Sequence, residues 1–297
     1  MAAPEGVRQE GAKPMLVTTK EMLLDAQRNH YAVGAFNVEN LEFVMAVLAA
    51  AEETKSPVIM QTTPGTIKTA GLDYFYGMVA AAAARTDVPV ALHLDHGDGY
   101  DRCMQAFRTG YTSVMIDGSH ESFEDNIALT ASVARAGAAM GVPVEAELGK
   151  VGGKEDDGPA VEGENPYTDP EEAREFVERT GCTSLAIGVG TAHGVYTETP
   201  HIEQEVVKAI RAAVDVPLVL HGTSGVPDEQ VAEAVKNGIC KVNYATELRQ
   251  AYTKGYMAFM AENPGVFDPK KPAKQGMAEI TNIVKVRMEN LGSVGRA

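Results

Sequence analysis

Apolar residues along this chain follow two spacings, and the two alternate. Short, nearly unbroken apolar runs read as strands buried on both faces. Longer stretches with apolar residues at i, i+3 and i+4 read as amphipathic helices. The pattern predicts a strand at Tyr31–Phe36 and a helix at Leu41–Thr54, then a strand at Pro57–Gln61 and a helix at Leu72–Arg85. Next come strand Val90–Leu94 with helix Tyr100–Thr109, and strand Thr112–Ile116 with helix Glu121–Met140. Ser119 or Ser122 would cap that last helix. After strand Val142–Glu147 the pattern stops. Gly149 to Asp169 is rich in Gly, Asp, Glu and Pro, and a break of that length inside a domain is usually functional. The alternation resumes with helix Pro170–Thr180, led by Asp-Pro, and strand Ser184–Ile187. Helix His201–Val214, strand Pro217–Leu220, helix Pro227–Asn237, strand Cys240–Asn243 and helix Thr246–Ala261 follow. A final helix, Lys271–Leu291, lies beyond the count.

Eight strands alternating with helices predict an α/β fold, a (β/α)8 TIM barrel of one domain over residues 15–297 with an extra C-terminal helix. A doubly wound sheet is the rival, but it would bring a strand–GxGxxG–helix fingerprint that this chain lacks. Residues 1–14 are polar with no apolar segment, so they read as a disordered leader rather than a signal peptide.

Composition narrows the partners. At 297 residues and 44% hydrophobic, the chain can bury a large core. Its net charge of −15 argues against nucleic acid and against anionic membranes. A small anionic substrate stays open, because a metal or a ring of backbone N–H groups reverses the field locally. No apolar run approaches the roughly 18 residues of a membrane helix. Three cysteines without a CxxC motif favour a reducing cytoplasm over a disulfide framework.

In a barrel of this kind, reactive groups belong at the C-terminal ends of the strands. The polar residues fall there. The first strand ends in Asn37 and the second in Thr62-Thr63. The third ends in Asp95-His96, the fourth in Asp117-Gly-Ser-His120, and the fifth in Glu145-Ala-Glu147. Gly190-Thr-Ala-His193-Gly194 follows the sixth, His221-Gly222-Thr223-Ser224 the seventh, and Asn243-Tyr244-Ala245-Thr246 the eighth. A lone histidine is more often a surface or hydrogen-bonded core residue, and His30, His93 and His201 fit that reading. His96, His193 and His221 differ, because three strands carry them to one rim and each precedes a glycine. Three imidazoles with an open fourth position describe a catalytic zinc site.

Asp95 either orients a ligand imidazole or performs acid–base chemistry. Its neighbour His96 leaves the backbone in another direction, which favours the second role. Asp117 and Glu147 are either ion-pair partners or oxygen ligands for a second or displaced cation. Gly222 to Gly225, Asn243 to Thr246 and the His193-Gly194 turn sit where barrels commonly hold a phosphate.

The segments GAFN, TTPGT, HLDHG, VMIDGSH, VEAELGKVGGKEDD, AIGVGTAHGVYTETP, PLVLHGTSGVPD and KVNYATEL resemble the class II, zinc-dependent ketose-bisphosphate aldolases. The resemblance runs from about residue 15 to 292 and is greatest to the tagatose-1,6-bisphosphate branch, with fructose-1,6-bisphosphate aldolases close by. It implies reversible cleavage of a ketose bisphosphate to dihydroxyacetone phosphate (DHAP) and glyceraldehyde 3-phosphate. It further implies His96, His193 and His221 as zinc ligands, and Asp95 as proton donor to the aldehyde oxygen. Asp117 and Glu147 would match an alternative cation site, and a monovalent cation is a second implied cofactor. Gly194, Gly222, Thr223, Ser224, Asn243, Tyr244, Ala245 and Thr246 would hold DHAP and its phosphate. Asn37 and Thr63 would reach the substrate, and Glu155 would exchange the DHAP carbon proton. A homodimer or homotetramer is the implied assembly.

Two departures bear on substrate choice. Thr197-Glu198 stand where fructose-bisphosphate aldolases often carry Lys, and Tyr244 replaces a more usual aliphatic residue. The alternatives are an aldolase for another phosphorylated ketose, or a non-catalytic companion subunit of an aldolase.

Overall fold

The structure, a computed structural model, describes residues 15–149, 152–153, 167–194, 196 and 199–297. Eight parallel strands close into a barrel. They are β1 (Val33–Asn37), β2 (Val58–Thr62), β3 (Val90–Gly97), β4 (Ser113–Ile116), β5 (Val144–Leu148), β6 (Ser184–Ile187), β7 (Leu218–Leu220) and β8 (Ile239–Tyr244). Each pairs with its sequence neighbour, and β8 returns to β1 through Val33–Lys241 and Ala35–Asn243. This is the expected (β/α)8 barrel.

Two helices lie outside the sequence pattern. The first, α1 (Thr19–Asn29), covers the N-terminal end of the barrel. Its Met22, Leu23 and Ala26 pack with Val33, Ala35, Ile59 and Ala91. The second is α3 (Pro64–Ala70), hidden in sequence because Pro-Gly reads as a turn. Proline is also suited to the first turn of a helix, and here Thr63 Oγ1 accepts the Thr66 N–H as the N-cap. Of the other helices, α2 (Leu41–Thr54), α5 (Tyr100–Thr109) and α7 (Pro170–Thr180) have the expected ends, and the rest follow the pattern with shifted ends: α4 (Leu72–Ala83), α6 (Phe123–Met140), α8 (Gln204–Ala213), α9 (Asp228–Lys236), α10 (Thr246–Glu262) and α11 (Lys270–Asn290). Ser122, not Ser119, caps α6, by accepting the Asp125 N–H. The final helix α11 packs against α2 and α10, and its end is tied to the start of β1 by Ala32 N–H donating to the Leu291 carbonyl. Among the described residues no helix is long and apolar enough to cross a membrane. The three cysteines are free and buried.

Alternation along the strands divides the barrel into two environments. Phe36, Val58, Met60, Leu92, Leu94, Val114 and Ile116 join one continuous core with the helices. The intervening residues face the barrel axis. They are apolar near α1 and become polar toward the other end, where Gln61, His93, Asp95, Glu145, Glu147, His221, Lys241 and Asn243 are all buried. The fold therefore places its buried polar residues from the middle of the barrel up to the strands' C-terminal ends.

β3 departs from regular pairing at the point where the chemistry sits. It aligns Leu94 with Val114 but Gly97 with Ile116, so one extra residue bulges out of β3. The sequence pattern ends this strand at Leu94; the chain instead continues through the bulge to Gly97. His96 lies in the bulge with φ of 46°, a left-handed conformation that costs a non-glycine residue about 1 kcal/mol or more. Gly97 locks it from the other side, since a Cβ there would lie 2.4 Å from the Met115 carbonyl oxygen. Gly97→Ala should therefore destabilise the protein by about 1–3 kcal/mol through overpacking. Urea unfolding followed by circular dichroism measures this, and an unchanged midpoint would contradict the tight approach.

Candidate active site

The three imidazoles singled out by their strand ends meet at the barrel mouth. Ligand atoms of His96, His193 and His221 all lie within 4.8 Å of one another. The His96 ring stands 5.0 Å from that of His193 and 4.8 Å from that of His221. Each element contributes for a local reason. The β3 bulge turns His96 toward β4 and β7. The short β7 ends directly in His221. His193 lies in a two-residue strand, Ala192–His193, that pairs with Gly152–Gly153 beyond β5. Tyr196, absent from the sequence reading, ties this segment down: its hydroxyl accepts the Ala192 N–H and donates to the Gly222 carbonyl, both at 2.6 Å.

Carboxylates fix the ring orientations. Asp117 Oδ2 sits 2.7 Å from His96 Nδ1, and Ser119 holds the other oxygen of Asp117. Glu145 Oε1 sits 3.0 Å from His221 Nε2. These contacts leave His96 Nε2 and His221 Nδ1 as the nitrogens that could hold a metal ion. His221 Nδ1 is buried without a hydrogen bond, and so is Glu147 Oε2, 2.9 Å away but misaligned for one. Two buried orphan atoms of this kind, beside three convergent imidazoles, fit a small cation with nitrogen and oxygen donors. Asp117, expected as a cation ligand, engages a histidine one layer out, whereas Glu147 borders the cluster directly.

Asp95 takes the opposite direction from His96. It is buried, and three amides hold it: Asn37 Nδ2 at 3.3 Å, Gln61 Nε2 at 3.0 Å and Asn243 Nδ2 at 3.0 Å. The adjacent residues thus serve different neighbours, Asp95 facing β1, β2 and β8 and His96 facing β4 and β7. Gln61 is the inward polar position of an otherwise apolar strand, a signal that period-two counting alone would have found. A cleft opens over Asp95 and His193. Asn37, Gly194, Gly222, Thr223, Ser224, Asn243, Ala245 and Thr246 line it, with Arg249 beside them. Thr246 begins α10, so backbone N–H groups of a helix start face the cleft, an arrangement suited to a phosphate. Arg249 was not singled out, although it follows Thr246 by one turn. Glu39 Oε1 holds its Nε at 2.6 Å.

Two expected substrate contacts lie elsewhere. The Tyr244 side chain does not line the cleft. It belongs to the outer core, stacked on Phe36 at 5.6 Å with the Arg287 guanidinium 5.4 Å from its ring centre. The cause is strand alternation: Asn243 faces inward, so the next residue must face the helices. Thr63 caps α3 and is absent from the cleft lining. Glu155, Thr197 and Glu198 lie outside the described residues.

Charge is balanced tightly in this layer. Burial would raise the Asp117 carboxyl, but its bond to His96 and those to Ser119 prevail and hold it well below the usual carboxylate range. Burial would likewise raise Glu145, yet Lys241, His221 and His93 hold it well down. His93 is driven well below its ordinary value by burial and by Lys241. Burial would lower His221, but Glu145 and Glu147 push it up to about 9 in the metal-free protein. A raised imidazole contributes stability that is complete below its unfolded value near 6.5 and is lost as pH rises through the folded value. Chelator-treated protein should therefore lose melting temperature between about pH 6.5 and 9. His221→Gln should lack that slope. Scanning fluorimetry across this window checks it, and equal slopes in both proteins would count against the assignment.

Comparisons agree with the geometry. A family model described as fructose-bisphosphate aldolase class-II matches residues 17–296. The structure is similar to the YdjI aldolase from Escherichia coli K12, at 39% identity and a TM-score of 0.84, over 95% of this chain and 99% of that one. A putative fructose-1,6-bisphosphate aldolase from Coccidioides immitis is 31% identical with a TM-score of 0.84, over 93% and 96% of the two chains. A fructose-bisphosphate aldolase from Campylobacter jejuni shares the fold at 24% identity and a TM-score of 0.78, over 95% and 97%. The chain belongs to the class II fructose-bisphosphate aldolase family, whose reaction is aldol cleavage of a phosphorylated ketose.

Proposed function

We propose that this chain is a zinc-dependent aldolase that reversibly cleaves a ketose 1,6-bisphosphate, tagatose or fructose, to DHAP and glyceraldehyde 3-phosphate. The observation that carries the reading is the convergence of His96, His193 and His221 at one rim, with Asp95 held beside them in the same cleft. His96 Nε2, His221 Nδ1 and a ring nitrogen of His193 would hold the ion, with Glu147 at its edge. Bound there, zinc supplies a Lewis acid for the charge that builds next to the ketone carbonyl when the C3–C4 bond breaks.

The chain's own residues do the rest. Gly194, Gly222, Thr223, Ser224 and the start of α10 would bind the DHAP phosphate through backbone N–H groups and hydroxyls. Asn243 and Asn37 would orient the substrate hydroxyls while holding Asp95. In cleavage, Asp95 would take the proton of the C4 hydroxyl as the aldehyde forms; in condensation it returns that proton to the aldehyde oxygen. Glu155 would exchange the proton on the DHAP carbon.

The test is DHAP release from the two C4-epimeric bisphosphates, measured side by side as kcat/KM. Activity should vanish on full metal removal and return with zinc; activity that survives would sink the reading. His221→Ala should lose zinc and activity together while the fold persists. Asp95→Asn should keep zinc but lower kcat by about 10²–10⁴-fold.

A further inference from the structure

We propose that Lys241 is a positioning residue that makes His221 a competent metal ligand. The proposal rests on the zinc reading above. Lys241 is fully buried within β8, and its Nζ lies 3.0 Å from Glu145 Oε1 and 2.9 Å from Oε2. The same Oε1 lies 3.0 Å from His221 Nε2. One carboxylate on β5 thereby joins the ammonium of β8 to the imidazole of β7, beneath the histidine cluster. His93 Nε2, on β3, approaches the carboxylate only to 3.8 Å.

Charge balance defines the role. Glu145 is a buried carboxylate and needs a cation at hand. Lys241 supplies it by engaging both carboxylate oxygens, and so holds the carboxylate in place behind His221. A carboxylate fixed there keeps His221 Nε2 turned toward it and leaves Nδ1 on the side of His96 and His193. A carboxylate behind a ligand histidine fixes ring and tautomer in this way, and Lys241 in turn fixes the carboxylate by engaging both of its oxygens. Lys241 does not line the cleft, so a direct attack on substrate is not its task. A purely structural ion pair would also be buried, but it would have no bearing on metal affinity.

Zinc alone is the probe, with affinity measured by competition against a chromophoric chelator. Lys241→Met keeps most of the length of the side chain and removes its charge. It should weaken zinc binding by about 10–100-fold, as loss of an outer partner of a ligand histidine does. Lys241→Arg, which keeps the charge, should restore most of the affinity. Equal affinity in wild type and Lys241→Met overturns this proposal while leaving the zinc reading intact. A wild-type protein that binds no zinc overturns both. Should Lys241→Met fail to fold, nitrogen-15 spectra of the histidine rings in the zinc-loaded wild type decide the matter. His221 is expected to carry its proton on Nε2 and the metal on Nδ1, and the reverse arrangement overturns the proposal.

Discussion

A carboxylate inside a barrel has no water to turn to, so it must find donors among the other strands. That constraint organises this molecule. Glu145 gathers His221 and Lys241, and Asp117 gathers His96 and Ser119. Asp95 gathers three amides from three further positions. The partners come from strands distant in sequence, so the acids act as pins across the barrel. Ring orientations, and with them the convergence of the three histidines, are consequences of where these acids stand.

The β3 bulge converts one dipeptide into two functions. In a regular strand Asp95 and His96 would point to opposite faces, one inward and one toward the helices. The extra residue and the positive φ at His96 bring both to the mouth, while still aiming them at different neighbours. Strain of this kind persists only where surroundings enforce it. Here the enforcing contacts are Gly97 against Met115 and Asp117 against His96.

Outside the barrel, the last helix stabilises the seam where the sheet closes. Arg287 grips Glu247 with two nitrogens, reaches Asp228, and covers Tyr244, which stacks on Phe36 across β8 and β1. Tyr244 packs the closing seam, while Asn243, Ala245 and Thr246 line the cleft. Arg249, one turn after Thr246, brings the cleft a cation in a chain whose net charge is −15.

Much of this was legible in one dimension, for a physical reason. A parallel barrel buries its strands on both faces, so each appears as an apolar run, and its chemistry collects where the runs end. That geometry placed His96, His193, His221, Asp95 and Asn243 in the sequence before any contact was known. α1 and α3 stayed hidden, because α1 precedes the repeating pattern and α3 begins with a Pro-Gly that also makes turns. The roles of Glu145, Lys241, Gln61 and Arg249 were decided only in three dimensions. A buried charge is defined by the partner that neutralises it, and the partner of Lys241 lies 96 residues away along the chain. Periodicity fixes which face a side chain takes; only the closed barrel determines whom it meets there.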